Sequence, residues 1–364
     1  MKIYVFGTRG FPLVQGGVEK HCENIYPLIA QHAEVVVYRR KPYIPPSNKT
    51  QYPGIRFVDL PSTRIKGFET VWHSFLCTVH ILTQPSGIVH IHNIGPAMFT
   101  PLLRLFKRKV ALTYHSPNYE HQKWNFAERY LLKICEKIAL RYANVIIFVN
   151  RFRMETFASQ RRRQQHYYLP NGINPPALSD STGYLEKWGV HQTRYIVAIG
   201  RITPEKGFDI LIKAFTALQT GYKLVIAGSA GAETGYYRQL TGISDPHNVI
   251  FTGYVYGEAL NQLYSHASLF VLPSLHEGFP LVLLEAMSYR LPLIVSDIPA
   301  THLVDLPPQN YFPAGDVDAL KDKLAAFCQN AQNPRPSYDL SHYNWDKIAE
   351  QTRQVLLGHR PVET

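Results

Sequence analysis

Short apolar runs that end in glycine, serine or asparagine alternate with amphipathic stretches along nearly the whole chain, and the alternation starts over once. KIYVFG (2–7), EVVVYRR (34–40), SGIVHIHN (86–93), KVALTYHS (109–116) and NVIIFVN (144–150) read as strands. The helical patterns GVEKHCENIYPLIAQ (17–31), PAMFTPLLRLFKR (96–108) and AERYLLKICEKIALRYA (127–143) lie between them. A stretch rich in Pro, Gly, Asn and Ser, YLPNGINPPALSDSTG (168–183), breaks the pattern. It resumes with RYIVAIG (194–200), KLVIAG (223–228), NVIFTG (248–253), SLFVLPS (268–274) and LPLIVSD (291–297), with helices at 207–218, 257–267 and after residue 280. Strands separated by helices must pair in parallel and bury both faces of their sheet. The expected fold is therefore α/β, with two doubly wound, Rossmann-like domains facing one another across a cleft. Residues 1–168 form the first domain, 169–340 the second, and 341–364 a last helix that packs back towards the first.

The 364 residues suit two domains of ordinary size. Four widely spaced cysteines offer neither a C-x-x-C pair nor a metal-ligand spacing, and the short apolar start leads into a glycine turn without the cleavage site of a signal peptide. No apolar run approaches the roughly 20 residues that span a bilayer. A reduced, cytoplasmic protein is expected. The net charge of +11 is uneven: residues 1–180 hold 24 Lys and Arg against 10 Asp and Glu, or +14, and residues 181–364 hold 14 against 17, or −3. Basic runs at 104–109 and 151–163 suit nucleic acid, anionic lipid or phosphorylated ligands, and equally a solvated face. They lack the interleaved aromatics of a nucleic-acid module, so no nucleic-acid partner is expected.

Ligands of open parallel sheets bind beyond the carboxyl ends of the strands, and four motifs fall there. In HEGFPLVLLEAM (276–287), Glu277 sits in the loop after a strand, and Glu285 sits about two turns into the following helix. Spacing alone fits equally a helix-capping Glu277 and a solvated Glu285. In GRITPEKGFD (200–209), Arg201 and Lys206 reach the same edge and, with a helix amino end, form an anion site suited to a diphosphate. GTRGFPLVQGGVEKH (7–21) is not the dinucleotide fingerprint, but Gly16 and Gly17 open a helix where a ligand can approach backbone N–H groups. His115 closes a strand in TYHSP. His90 and His92 share one strand face with no third ligand at a usable spacing, which favours core histidines over a metal site. In GDVDAL (315–320), Asp316 reads as a helix N-cap and Asp318 as a first-turn acid rather than as metal ligands.

The GG loop, the GR…EK loop, PNGI (170–173) and EGFPLVLLE (277–285) together resemble the family-four retaining glycosyltransferases of the GT-B fold, over essentially the whole chain. GTRGFP…QGGVEKH and YHSPNYEHQKW (114–124) are similar to bacterial members that build surface polysaccharides. The resemblance implies that Arg201 and Lys206 hold the donor diphosphate and that Glu285 accepts hydrogen bonds from the ribose. It gives Glu277, with the backbone of Gly278, Phe279, Pro280 and Leu281, to the donor sugar. His115 then faces that sugar, and Glu120 is a candidate on the acceptor side. The expected activity is transfer of a sugar from a nucleotide diphosphate-sugar to a hydroxyl of a growing, lipid-linked bacterial glycan. It proceeds without a metal or other cofactor, at the inner, anionic face of the cell membrane. A sugar-nucleotide epimerase of the same fold and a non-catalytic polyanion- or nucleic-acid-binding protein are the alternatives.

Overall fold

In the computed structural model, residues 1–44, 51–65, 67–117, 119, 125–160, 164–191, 194–230, 234–330 and 334–361 are described. They divide into two compact units, Met1–Gly172 with Tyr343–Thr364, and Ile173–His342.

The first unit is built on a seven-stranded parallel sheet: β1 (Lys2–Phe6), β2 (Glu34–Arg40), β3 (Ile55–Leu60), β4 (Ile88–His92), β5 (Lys109–Tyr114), β6 (Val145–Phe148) and β7 (Gln165–Tyr168). The strand order is β3-β2-β1-β4-β5-β6-β7, so the winding reverses between β1 and β4. Ile3 to Phe6 and Val35 to Tyr38 are fully buried, as strands covered by helices on both faces require. The unit is discontinuous in sequence. The helix Trp345–Leu357 lies on the helix Gly17–Ile29, and Lys109 Nζ donates to Leu356 O at 3.1 Å.

The second unit repeats the plan with β8 (Tyr195–Ile199), β9 (Lys223–Ala227), β10 (Val249–Gly253), β11 (Leu269–Leu272), β12 (Leu293–Asp297) and β13 (Tyr311–Pro313). The order is β10-β9-β8-β11-β12-β13, with its reversal between β8 and β11. Both units are thus Rossmann-like, and each has one point beyond its strand ends where neighbouring loops diverge and leave room for a ligand.

Several expected elements change. The pattern at 96–108 is a 3₁₀ turn, Pro96–Phe99, followed by a short helix, Thr100–Leu105, because Pro101 sets the new start. The helix carrying Glu285 begins at Leu281, which puts Glu285 one turn in rather than two. The edge strands β3, β7 and β13 and the helices Phe68–Thr83 and Arg151–Gln160 add to the expected pattern.

Candidate active site

Every described candidate residue of the second unit lies at the reversal between β8 and β11. The loop after β8 carries Arg201 and Lys206, and the loop after β11 carries Glu277. Gly207 makes their approach possible: its φ is 63°, and a Cβ there would stand 2.1 Å from Pro273 O. Backbone bonds from Leu275 and His276 to Glu205 O, at 2.9 and 3.3 Å, tie the two loops together. Lys206 Nζ then meets Glu277 Oε1 at 2.5 Å, and Ser274 Oγ donates to the same oxygen at 2.7 Å. Glu277 is therefore held by a cation and a hydroxyl and does not cap the helix. Arg201 is half-exposed, with its guanidinium 3.9 Å from Glu205.

Glu285 is buried and accepts from Tyr264 Oη at 2.8 Å. Burial and the neighbouring carboxylate push the Tyr264 phenol well above its ordinary range, so it remains a donor. One residue the motif reading passed over stands beside the cations: Thr203 Oγ1 is buried with no hydrogen-bond partner among the described residues. Its threonine identity gave no signal in sequence. Gly278 to Leu281 bridge the two glutamates, and Leu281 is the first residue of the helix. Asp316 is the N-cap of the helix Val317–Gln329, accepting from Ala319 N at 2.9 Å, and Asp318 is exposed in its first turn. The D-x-D spelling is a helix start.

In the first unit, Gly16 precedes the helix Gly17–Ile29 at φ 155°, and a Cβ on it would stand 2.0 Å from Glu19 Oε2. Glycine is needed there to admit that carboxylate, which also accepts from Arg9 N at 2.9 Å. Gly17 is exposed. His115 follows β5 directly and is buried in a set of histidines drawn from three elements. His92 Nδ1 and His115 Nε2 are 2.9 Å apart, and Tyr26 Oη bridges His92 Nε2 at 2.6 Å and His90 Nδ1 at 2.9 Å. His90 Nε2 continues to Thr113 Oγ1 at 2.7 Å. His21 packs edge-on against His115 and bonds Asn171 through Nδ1 at 2.7 Å.

Burial lowers His21 to about 4 and His90 to about 3, and holds His92 and His115 well below the ordinary value, so all four rings are neutral near pH 7. One nitrogen each of His21, His92 and His115 falls within 4.8 Å of the others, a set able in principle to hold a metal ion. The premise that His92 has no third ligand nearby is thus corrected. Sequence spacing reports neighbours on one element, whereas the fold brings His21 in from a helix and His115 from the next strand. The rings are already bonded to one another and to Tyr26. Glu120 lies outside the described residues.

The basic runs also divide. Arg108 donates to Ile81 O, Leu82 O, Gln84 O and Pro85 O at 3.0, 3.4, 2.6 and 2.8 Å, where the helix Phe68–Thr83 ends. Lys109 serves the carboxyl end of Trp345–Leu357. Arg104 and Lys107 remain exposed, and residues 161–163 lie outside the described residues.

A family model described as glycosyltransferase family 4 matches residues 15–176, and one described as glycosyl transferases group 1 matches residues 193–330. Together they span most of both units. The chain belongs to the family-four glycosyltransferases. A phosphatidyl-myo-inositol mannosyltransferase of Mycobacterium leprae is 26% identical to this family member over 74% of its chain and 72% of the relative. A glycosyltransferase of Methanocaldococcus jannaschii is 36% identical over 35% of each, so the chain spans about a third of that relative's length. Among solved structures, a sucrose-phosphate synthase from Thermosynechococcus elongatus superposes with a TM-score of 0.80 at 22% identity, covering 98% of both chains. The glycosyltransferase WaaG gives 0.71 at 15% identity over 98% of this chain and 100% of its own. The fold is GT-B.

Proposed function

We propose that the chain is a retaining glycosyltransferase that moves a sugar from a nucleotide diphosphate-sugar to a hydroxyl of a growing bacterial glycan anchored to lipid. The observation that carries the reading is the meeting of Lys206 and Glu277 at the sheet reversal, with Arg201 beside them and Glu285 one helical turn beyond. Cations and a carboxylate in contact suit a ligand that is anionic at one end and rich in hydroxyls at the other. Among the structural neighbours, Anabaena HepE was solved in complex with UDP and glucose and with UDP-glucose. An O-antigen chain mannosyltransferase B of Escherichia coli is 28% identical over 49% of each chain, which supports the bacterial glycan.

In this reading Lys206 and Arg201 bind the diphosphate and stabilise its charge as the bond from phosphate oxygen to the anomeric carbon breaks. Lys206 has three N–H donors and keeps Glu277 while it binds phosphate. Thr203 Oγ gives its hydroxyl to a phosphate oxygen. Glu277 and the N–H groups of the 278–281 loop orient the sugar, and Glu285 accepts from the ribose. His115, kept neutral by burial, hydrogen-bonds a sugar hydroxyl. The acceptor oxygen attacks from the face the diphosphate leaves, and a departing phosphate oxygen takes its proton. With two cations at the diphosphate, no metal is required for charge neutralisation.

The test begins with a thermal-shift panel of nucleoside diphosphates and their sugars, since a ligand of the folded state raises its stability. Transfer to glycan acceptors, with the product anomer read by NMR, then follows in EDTA. Retained configuration and undiminished activity in EDTA are expected. Epimerised donor in the absence of acceptor replaces the reading with an epimerase, and revival only by magnesium or manganese ends the metal-free mechanism.

A further inference from the structure

The helix Phe68–Thr83 wears its apolar residues on the outside. Phe68, Trp72, Phe75 and Val79 are 52%, 39%, 40% and 44% exposed, and their spacing of four, three and four places them in one stripe. The opposite side, with His73, Ser74, Cys77 and Thr78, is buried. The ring of Phe68 stacks on Trp72 and that of Trp72 on Phe75, at 6.4 and 6.1 Å between centroids, and Phe75 reaches Phe99 at 6.1 Å. The turn containing Phe99 packs against the helix Phe126–Tyr142, which also lies against Thr100–Leu105. Those neighbours continue the exposure: Leu105 and Phe106 at the carboxyl end of the short helix, then Phe126, Tyr130 and Leu131 on the long one. Scattered surface hydrophobes are ordinary, but aromatic residues gathered on adjoining elements mark a surface that is covered in use.

The charges around it select the cover. Glu69 is bound to Tyr43 and Arg40, Glu128 caps its own helix at Asn125, and Glu136 accepts from Tyr114 and Tyr119. The acids are thus taken up internally. Arg104, Lys107, Arg129, Lys133 and Arg141 stand exposed on the same elements. A twofold contact between two copies would set this basic rim against itself, whereas an anionic lipid surface meets both the rim and the rings. Trp, Tyr and Phe favour the boundary between headgroups and acyl chains, and cations favour the phosphates above it. No described helix is long and apolar enough to cross a membrane.

We propose that the exposed stripe Phe68, Trp72, Phe75 and Val79, with the adjoining Leu105, Phe106, Phe126, Tyr130 and Leu131 and their basic rim, is a docking surface for an anionic lipid bilayer. It deepens the reading of a lipid-linked acceptor by giving the chain a means of reaching one, yet it is measured without any transfer assay. Charge alone does not make this surface. The rings supply the insertion and the cations the approach.

The full chain is sedimented with phosphatidylcholine vesicles, with and without phosphatidylglycerol. Binding to the anionic vesicles is expected to exceed binding to the neutral ones by about tenfold or more. The Trp72→Ser/Phe75→Ser pair and, separately, the Arg129→Glu/Lys133→Glu pair should each lower anionic binding about tenfold or more. Trp72→Phe keeps the ring and should bind like the wild type while losing part of the fluorescence quenching by brominated lipid. Circular dichroism melts of each variant establish that loss of binding is not loss of fold. Wild-type protein that ignores anionic vesicles overturns the proposal, as does binding that neither pair weakens. Self-association abolished by Trp72→Ser/Phe75→Ser, with no vesicle binding, replaces the bilayer with a second copy. Vesicle binding without transferase activity leaves the docking surface standing and removes only the catalytic reading.

Discussion

Lys206 and Glu277 have mostly buried side chains, 14% and 8% exposed, and each answers the other's charge. Lys206→Ala should therefore act twice. Turnover should fall about 10²–10³-fold for loss of a diphosphate partner. The second unit should also lose about 3 kcal/mol, because the remaining carboxylate is buried without its cation. A Lys206→Met/Glu277→Gln double variant separates the effects, since removing both charges should restore most of the denaturation midpoint while turnover stays low. A midpoint in the double variant as low as in the single one would show that the pair's charge is not what Lys206 contributes to the fold. Arg201 is half-exposed and only loosely paired, 3.9 Å from Glu205, so Arg201→Ala should lower turnover with little effect on the midpoint. Glu285→Gln should weaken donor binding by roughly 1.5–3 kcal/mol, read by calorimetric titration with the nucleoside diphosphate-sugar. An unchanged affinity would place the ribose elsewhere.

At the scale of elements, the strands that were legible in sequence are the central ones, because burial on both faces leaves an uninterrupted apolar run such as Val35 to Val37. The edge strands were not: IRFVDL in β3 and QHYY in β7 mix polar and apolar residues. The helix Phe68–Thr83 escaped for a different reason. Apolar residues on its exposed face remove the polar contrast by which an amphipathic helix is recognised. The two glutamates and two cations were legible because each pair sits on one loop or one helix start. The histidine set was not, since its members come from separate elements and only the fold brings them together. An element-level prediction concerns Arg108, which was read as part of a basic patch and instead holds four carbonyls where that helix ends. Arg108→Ala should reduce stability by about 1–3 kcal/mol in urea titration, with donor affinity unchanged. A variant as stable as the wild type would return Arg108 to the solvated surface.

Across the whole molecule, the two units should answer acid differently. His21 and His73 titrate at about 4 in the folded state, His90 at about 3, and His92 and His115 well below the ordinary 6.5, all chiefly through burial and all in the first unit. Above pH 6.5 these rings are neutral whether the chain is folded or not. Below it the unfolded chain takes up protons that the folded one refuses, so stability falls as the pH drops from 6.5 towards 4. Each histidine should remove about 1 kcal/mol over the first unit of pH below 6.5. Calorimetry between about pH 7.5 and about pH 5.5 should show one transition moving down while the other barely shifts. Two transitions that move together would refute the assignment. That same unit closes only when Trp345–Leu357 lies on Gly17–Ile29 and the Trp345 ring meets Gly172, where a Cβ would stand 2.5 Å from it. During synthesis the order of folding is thus inverted. The second unit, continuous from Ile173 to His342, can leave the ribosome and fold while the strands made before it wait for a helix not yet translated.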